Sequence, residues 1–419
     1  CGHPVASRAW IAAGLAAAAV GGAWWWLASD GASAGGAGAA ASAAPSSAMA
    51  STLATPGQAG ASGPPTPGAQ APLSAAGQQA QAEKLRLWQA RYERAEQVYA
   101  SYRDATRYPH ESRPLADHPD QVRPFDPVME ETPLRDAKGD VVKGVRLRTT
   151  QDRVFLSGTD VARFSIEALN EEGQRLPLIV RGAAAQSVPD TRTPVPLIQT
   201  DLAFADNGTG ADALAGDGVH SALLSPAQQG FGQYDGTIRI LAQVAAQGRQ
   251  GVAHFDVVYA PAVPATWLGV REAVEGGSLH FYLKAQVRTA GRYVVSGRVD
   301  DAQGKPFALV QFNQELGSGE QEMRLQVFGA LIRDKAPAFP LRLRDVEGFL
   351  LIPDRFPDRA LMPRWAGLVH QSVSYPLARF SSDEWSSEER DRYLAEYARD
   401  AEAARREVDA LTRRSIEAK

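Results

Sequence analysis

The chain has 419 residues, which suggests two or three domains at ~150 residues each. Its 44 basic and 48 acidic residues leave a formal net charge of −4, which argues against a nucleic-acid-binding protein because such proteins usually carry a basic excess. The single cysteine, Cys1, excludes an intrachain disulfide and any zinc or iron–sulfur site that needs several thiolates.

The N-terminal region predicts a membrane anchor. Residues 9–29 carry no charge, and a helix of that length spans a hydrocarbon core of ~30 Å. Arg8 precedes this run and the next basic residue is Lys84. The sequence therefore predicts an inside tail at 1–8, one transmembrane helix at 9–29 and the remainder of the chain outside. The alternative is a cleaved signal peptide, because Ala32-Ser33-Ala34 fits a cleavage site.

A flexible linker is predicted at 30–80. This stretch consists almost entirely of Ala, Gly, Ser, Pro and Gln, and Asp30 is its only charged residue. A segment of this composition cannot bury enough apolar surface to fold, so it is expected to hold a folded region away from the anchor.

Two amphipathic helices are predicted, at 81–107 and at 384–419. Apolar and aromatic side chains recur in each at alternating spacings of three and four, which is typical of a coiled-coil stripe. The stripes favour two interpretations: an interface for self-association or for a partner, or packing of each helix within its own chain. The candidate interface residues are Leu85, Trp88, Tyr92, Tyr99, Tyr397, Val408 and Leu411.

The central region predicts a mainly β fold. From about residue 140 to 353, short runs with a period of two are separated by Gly, Asp, Asn and Pro turns, which is typical of β-sandwiches. A Pro- and Ala-rich break at 260–265 divides two tandem sandwiches, at 140–262 and 265–353. Proline-rich stretches at 108–139 and 354–383 predict extended segments on either side of them.

Three stretches carry a resemblance to a known class of module. Residues 206–221 (DNGTGADALAGDGVHS) are similar to a turn of bacterial extracytoplasmic immunoglobulin-like modules of the choice-of-anchor type. Residues 291–306 and 316–333 resemble later strands of the same class. The resemblance covers about half of the chain. It implies two immunoglobulin-like sandwiches, flanked here by the N-terminal and C-terminal helices. Together with the anchor predicted at 9–29, it implies a single-pass protein of the bacterial inner membrane whose soluble body lies in the periplasm.

A cation site is one interpretation of the first stretch. Asp206, Asp212 and Asp217 could surround calcium, which prefers six to eight oxygen ligands. The spacing differs from an EF-hand, and Asp and Gly are also the residues that tight turns use. No other cofactor is predicted.

No catalytic motif is found: the chain lacks G-x-S-x-G, H-E-x-x-H and a Walker A sequence. The sequence thus favours a membrane-tethered periplasmic interaction or scaffold protein without enzymatic activity. Its partners would be an envelope protein or a second copy of itself, the inner membrane through residues 9–29, and no nucleic acid. The alternatives are a sandwich module that binds a glycan or calcium, and an enzyme with an unrecognised site.

Overall fold

The fold is mainly β, with four sheets and three α-helices in the part of the chain that the structure describes. The computed structural model describes residues 75–136, 138–189 and 197–417. The prediction of a β-rich fold is confirmed.

Two long helices and one short helix lie at the edges of the β region. Helix α1 spans Ala75–Ala105, α2 spans Gly329–Lys335 and α3 spans Glu388–Glu417. The strands in chain order are β1 Ser112–Pro114, β2 Val128–Arg135, β3 Val141–Gln151, β4 Phe155–Ser157, β5 Ala162–Leu169, β6 Arg175–Leu176, β7 Leu178–Ser187, β8 Gln199–Asp201, β9 His220–Leu224, β10 Gly236–Ala246, β11 Arg249–Ala260, β12 Ala265–Glu275, β13 Ser278–Val287, β14 Gly291–Asp300, β15 Pro306–Leu316, β16 Gly319–Val327, β17 Arg342–Leu351, β18 Arg359–Leu361 and β19 Trp365–Gln371.

Sandwich 1, residues 128–260, packs two five-stranded sheets around one core. One sheet has the order β2-β3-β5-β6, with β9 also on β5, and the other has the order β4-β11-β10-β7-β8. Strand β10 shows why the layers form: Ile238, Ile240 and Ala242 point into the core, while the residues between them face outward. A two-residue turn joins β10 to β11, and Gly248 takes the positive φ that such a turn requires.

Sandwich 2 packs a six-stranded sheet against a three-stranded sheet. The larger sheet has the order β1-β15-β14-β17-β18, with β19 also on β17, and the smaller has the order β12-β13-β16. Strand β1 precedes sandwich 1 in the sequence and the remaining strands follow it. Sandwich 1 is therefore inserted into the chain of sandwich 2, and the two are not simply consecutive.

The segments predicted to be extended contribute strands to both sandwiches. Strand β2 comes from 108–139, as does β1, while β18 and β19 come from 354–383. Pro114 ends β1 and Pro133 lies within β2, and both strands are at the edges of their sheets, where a missing backbone N–H breaks no ladder of a central strand. Apolar side chains of these two segments help to cover the cores, and Leu115 and Leu134 are fully buried.

The predicted fold class and localisation need a correction. No helix among the described residues is both long enough and apolar enough to cross a membrane, because α1 and α3 are rich in charged residues and α2 has only seven residues. The predicted transmembrane helix at 9–29, the tail at 1–8 and most of the linker lie outside the described residues. The fold class with a transmembrane helix and the single-pass inner-membrane localisation are thus wrong for the described chain.

A paired substitution on β11 tests the layered packing. Val257 is fully buried, whereas Val252 on the same strand is 45% exposed. Val257→Ala is expected to lower the free energy of unfolding by about 2 kcal/mol, because it removes buried methyl groups and leaves a cavity. Val252→Ala is expected to change it by less than about 0.5 kcal/mol. Urea unfolding measures both, and equal losses would contradict the assigned faces of the sheet.

Candidate functional site

The three predicted calcium ligands lie together in the loop between β8 and β9. Ligand oxygens of Asp206, Asp212 and Asp217 are all within 4.8 Å of one another. The structure therefore brings together side chains that are up to eleven positions apart in the sequence. This group is named the acidic loop.

Backbone hydrogen bonds hold the acidic loop in shape. The Asp206 carboxylate accepts N–H bonds from Gly216 at 2.6 Å and from Gly218 at 2.9 Å, and Asp212 accepts one from Gly208 at 2.6 Å. Gly208 has a positive φ, and a Cβ there would lie 3.1 Å from the backbone nitrogen of Ala215. Glycine is thus required for this turn to close.

Charge in the acidic loop is only partly compensated. Desolvation raises the pKa of Asp206, but the backbone N–H groups of Gly218, Gly216 and Asp217 outweigh it and hold this pKa below its ordinary value. Arg175 lies beside Asp217, with 3.5 Å between its Nη1 and the carboxylate Oδ2, and it also donates to Glu167 at 2.6 Å. A cluster of three carboxylates, with one arginine beside Asp217, offers oxygen donors to a cation.

The predicted helical stripes pack against each other in an antiparallel pair, which we name the stalk. Tyr102 of α1 contacts Tyr393 and Tyr397 of α3, with ring centroids 5.8 and 5.3 Å apart. At the opposite end, the Gln81 side chain donates to the Ser415 hydroxyl at 3.3 Å.

The candidate interface residues are all at least partly buried on the two paired helices. Leu411 is buried, and the other six are half-buried: Leu85, Trp88, Tyr92, Tyr99, Tyr397 and Val408. Of the two interpretations left open by the sequence, packing within the chain accounts for the stripe itself. The partly exposed rings leave room for a further contact, because two helices alone cannot enclose large side chains.

A network of ion pairs that the sequence did not predict attaches the stalk to sandwich 2. Arg107 donates to both oxygens of Asp334 in α2, at 2.7 and 3.0 Å, and the Tyr108 hydroxyl donates to the same carboxylate at 2.9 Å. Arg390 of α3 is buried and donates to Glu384 at 2.7 Å. Arg107 and Asp334 are 227 positions apart, so no local pattern could have revealed this contact.

Three histidines on described strands of the sandwiches, His220, His254 and His280, do not form a common site. His220, His254 and His280 lie on strands of three different sheets. His280 is buried, and desolvation lowers its pKa, so it is neutral at pH 7. Its Nε2 lies 3.2 Å from the backbone oxygen of Glu275, which is typical of a structural histidine.

The Arg- and Trp-containing segment at 351–365 packs between the sandwiches. The Arg359 guanidinium lies over the rings of Phe155 in sandwich 1 and Phe349 in sandwich 2. The Trp267 indole N–H donates to the Pro363 carbonyl at 2.7 Å. This segment therefore joins the two sandwiches.

Comparisons with known proteins do not assign a family. No protein-family model and no curated protein matches the chain. A DUF4785 family protein of Legionella pneumophila is 14% identical over 55% of this chain and 58% of that chain, with a TM-score of 0.37. Dimeric latent PorU of Porphyromonas gingivalis is 10% identical over 58% of this chain and 20% of that chain, with a TM-score of 0.16. These likenesses carry no argument about fold or function, and the resemblance to immunoglobulin-like modules stays a prediction.

The attachment of the stalk predicts an acid-sensitive contact. Hydrogen bonds from Arg107, opposed by desolvation, lower the pKa of Asp334 from 3.8. The stabilisation is therefore fully present above pH 3.8 and is lost as pH falls through the lower pKa of the folded state. Asp334→Asn is expected to flatten this acid limb of the unfolding free energy. Chemical unfolding at pH 2 to 7 measures the pH dependence of the unfolding free energy, with the exposed Asp201→Asn as control. An unchanged acid limb in Asp334→Asn would contradict the role assigned to the Arg107–Asp334 contact.

Proposed function

We propose that this protein is a non-catalytic interaction protein, in which the stalk carries two β-sandwiches that serve as binding modules. The observation that carries the proposal is the attachment of α1 and α3 to one end of sandwich 2. Arg107, just after α1, donates to Asp334 of α2, and the buried Arg390 of α3 donates to Thr106 next to Arg107, while the Gln81–Ser415 contact marks the opposite end of the stalk.

The placement of polar groups supports binding over catalysis. On the sheet surfaces several charged side chains pair with each other across strands, as Arg239 does with Asp256 and Arg271 with Glu322, each at 2.7 Å. Such pairs hold the charges in fixed positions, and a paired group is not a free nucleophile or base. Paired charges of this kind suit a stable surface for recognition.

Photo-crosslinking in the native host tests this proposal. A benzophenone amino acid at Val252 or Leu268 samples an exposed position on each sandwich. We expect an adduct of defined mass from at least one position upon illumination, because an interaction module holds its partner against these surfaces. The control is the unmodified chain under the same light. Absence of any adduct from both positions would overturn the proposal.

A second candidate function is calcium binding at the acidic loop, and the convergence of the three carboxylates favours it. Arg175 compensates part of the charge, and the three carboxylates supply oxygen donors. This is the donor chemistry that calcium prefers. Nothing among the described residues favours the glycan that the sequence left open.

Calcium is expected to raise the melting temperature, because a ligand that binds only the native state stabilises it by about 2.7 kcal/mol at a hundredfold excess over Kd. Asp212→Asn keeps the acceptor for Gly208 and removes the charge, so it is expected to abolish most of this shift. Calorimetry with calcium, magnesium and chelator measures the shift in melting temperature. An identical calcium shift in Asp212→Asn and in the matched control Asp201→Asn would exclude the acidic loop.

A further inference from the structure

The stalk has an uneven distribution of charge along its length. We divide it into a distal half, residues 75–94 and 405–417, and a proximal half next to sandwich 2, residues 95–105 and 388–404. The distal half carries eight basic and five acidic side chains, whereas the proximal half carries four basic and eight acidic side chains. The two halves therefore have opposite net charge.

Most of this charge has no internal partner. None of the distal basic side chains forms an ion pair within 4.0 Å with a described residue: Lys84, Arg86, Arg91, Arg94, Arg405, Arg406, Arg413 and Arg414. Within the same described range, the proximal carboxylates of Glu96, Glu396, Asp400 and Glu402 also form none. These charges are free to attract a surface of opposite sign.

Apolar surface accompanies the charges. Leu87 is 59% exposed and Val98 is 42% exposed, although both belong to a helix whose stripe is already packed. A groove with a volume of about 240 Å³ lies at mid-height, at the boundary of the two halves. Its lining includes the small side chains of Ala398 and Ala401 beside Tyr99, which permit a close approach by another helix.

We propose that a second copy of this chain packs antiparallel against the stalk, forming a twofold-symmetric four-helix bundle. The proposal rests on the proposed interaction function and names its partner. A twofold axis through the mid-height groove places each distal half against the proximal half of the other copy. Opposite charges then meet twice, whereas parallel copies would place like charges together.

The available area is sufficient for a stable dimer. A pair of 30-residue helices is about 45 Å long and about 20 Å wide, from 1.5 Å per residue and a diameter of 10–12 Å per helix. Side-by-side contact thus covers roughly 900 Å² per copy, close to the ~800 Å² of a standard interface.

Complementary charge variants of the full chain test the proposal. An acidic-stalk variant carries Arg86→Glu, Arg94→Glu, Arg405→Glu and Arg406→Glu. A basic-stalk variant carries Glu96→Lys, Glu396→Lys, Asp400→Lys and Glu402→Lys. All eight positions are exposed, so the packed stripe is unchanged. Each variant alone places like charges together in a dimer, while a mixture of the two restores opposite charges at both ends.

Analytical ultracentrifugation gives the result. The unmodified chain is expected at about twice 44.8 kDa, and each variant alone is expected to dissociate at least about tenfold more readily. The mixture is expected to recover the dimer. A monomeric unmodified chain, or a mixture that stays monomeric, would overturn the antiparallel dimer.

Two further measurements keep the test independent of variant folding and of orientation. Dimer dissociation of the unmodified chain is expected to increase about fivefold or more between 0.05 and 0.5 M salt, because exposed charges are screened. Spin labels at Gln79→Cys in a Cys1→Ser background are expected about 45 Å apart or more, against about 20 Å in a parallel dimer. A dimer mass that does not change with salt, or a distance of about 20 Å between the spin labels, would overturn the proposal. A monomer that still gives sandwich adducts with another protein would refute the dimer and leave the proposed function standing.

Discussion

Antiparallel packing of α1 against α3 is the contact on which the layout of this protein depends. Each helix alone is too polar to be stable without burial of its stripe, so each requires the other. The pairing is possible because β1 and the last strands of the chain both belong to sandwich 2. The chain therefore enters and leaves the β region at one place, where Arg107 donates to Asp334 of α2 and Arg390 of α3 donates to Thr106.

The insertion of sandwich 1 follows from the same arrangement. Sandwich 2 lies between the stalk and sandwich 1 in the contacts that the structure shows, and Arg359 joins the two sandwiches through rings on either side. The result is three parts in series, each with its own buried core or stripe. The exposed surfaces of the outer parts are the ones available to bind other molecules.

The charges of the protein are used differently in these parts. On the sheets, cross-strand neighbours such as Arg239 and Asp256 neutralise each other, since strand register fixes them side by side. On the stalk, the basic and acidic residues lie at different heights and many have no partner among the described residues. The acidic loop is intermediate, because Arg175 compensates only part of its charge. Charge without an ion pair is thus a feature of the stalk, where the proposed second copy packs.

The sequence by itself determined which segments are helical or extended and which side chains each would bury, because those properties follow from local periodicity. Leu85, Tyr99 and Leu411 lie on packed stripes for this reason, and the period of two gave a β-rich fold. The sequence also led to a predicted fold class with a transmembrane helix, which the described helices do not support. Only the tertiary structure decided that the two stripes face each other, that β1 joins sandwich 2, and that Asp206, Asp212 and Asp217 converge. Periodicity shows that one face of a helix or strand is buried, but it does not show which element covers that face. The covering element is set by contacts between residues far apart in the chain.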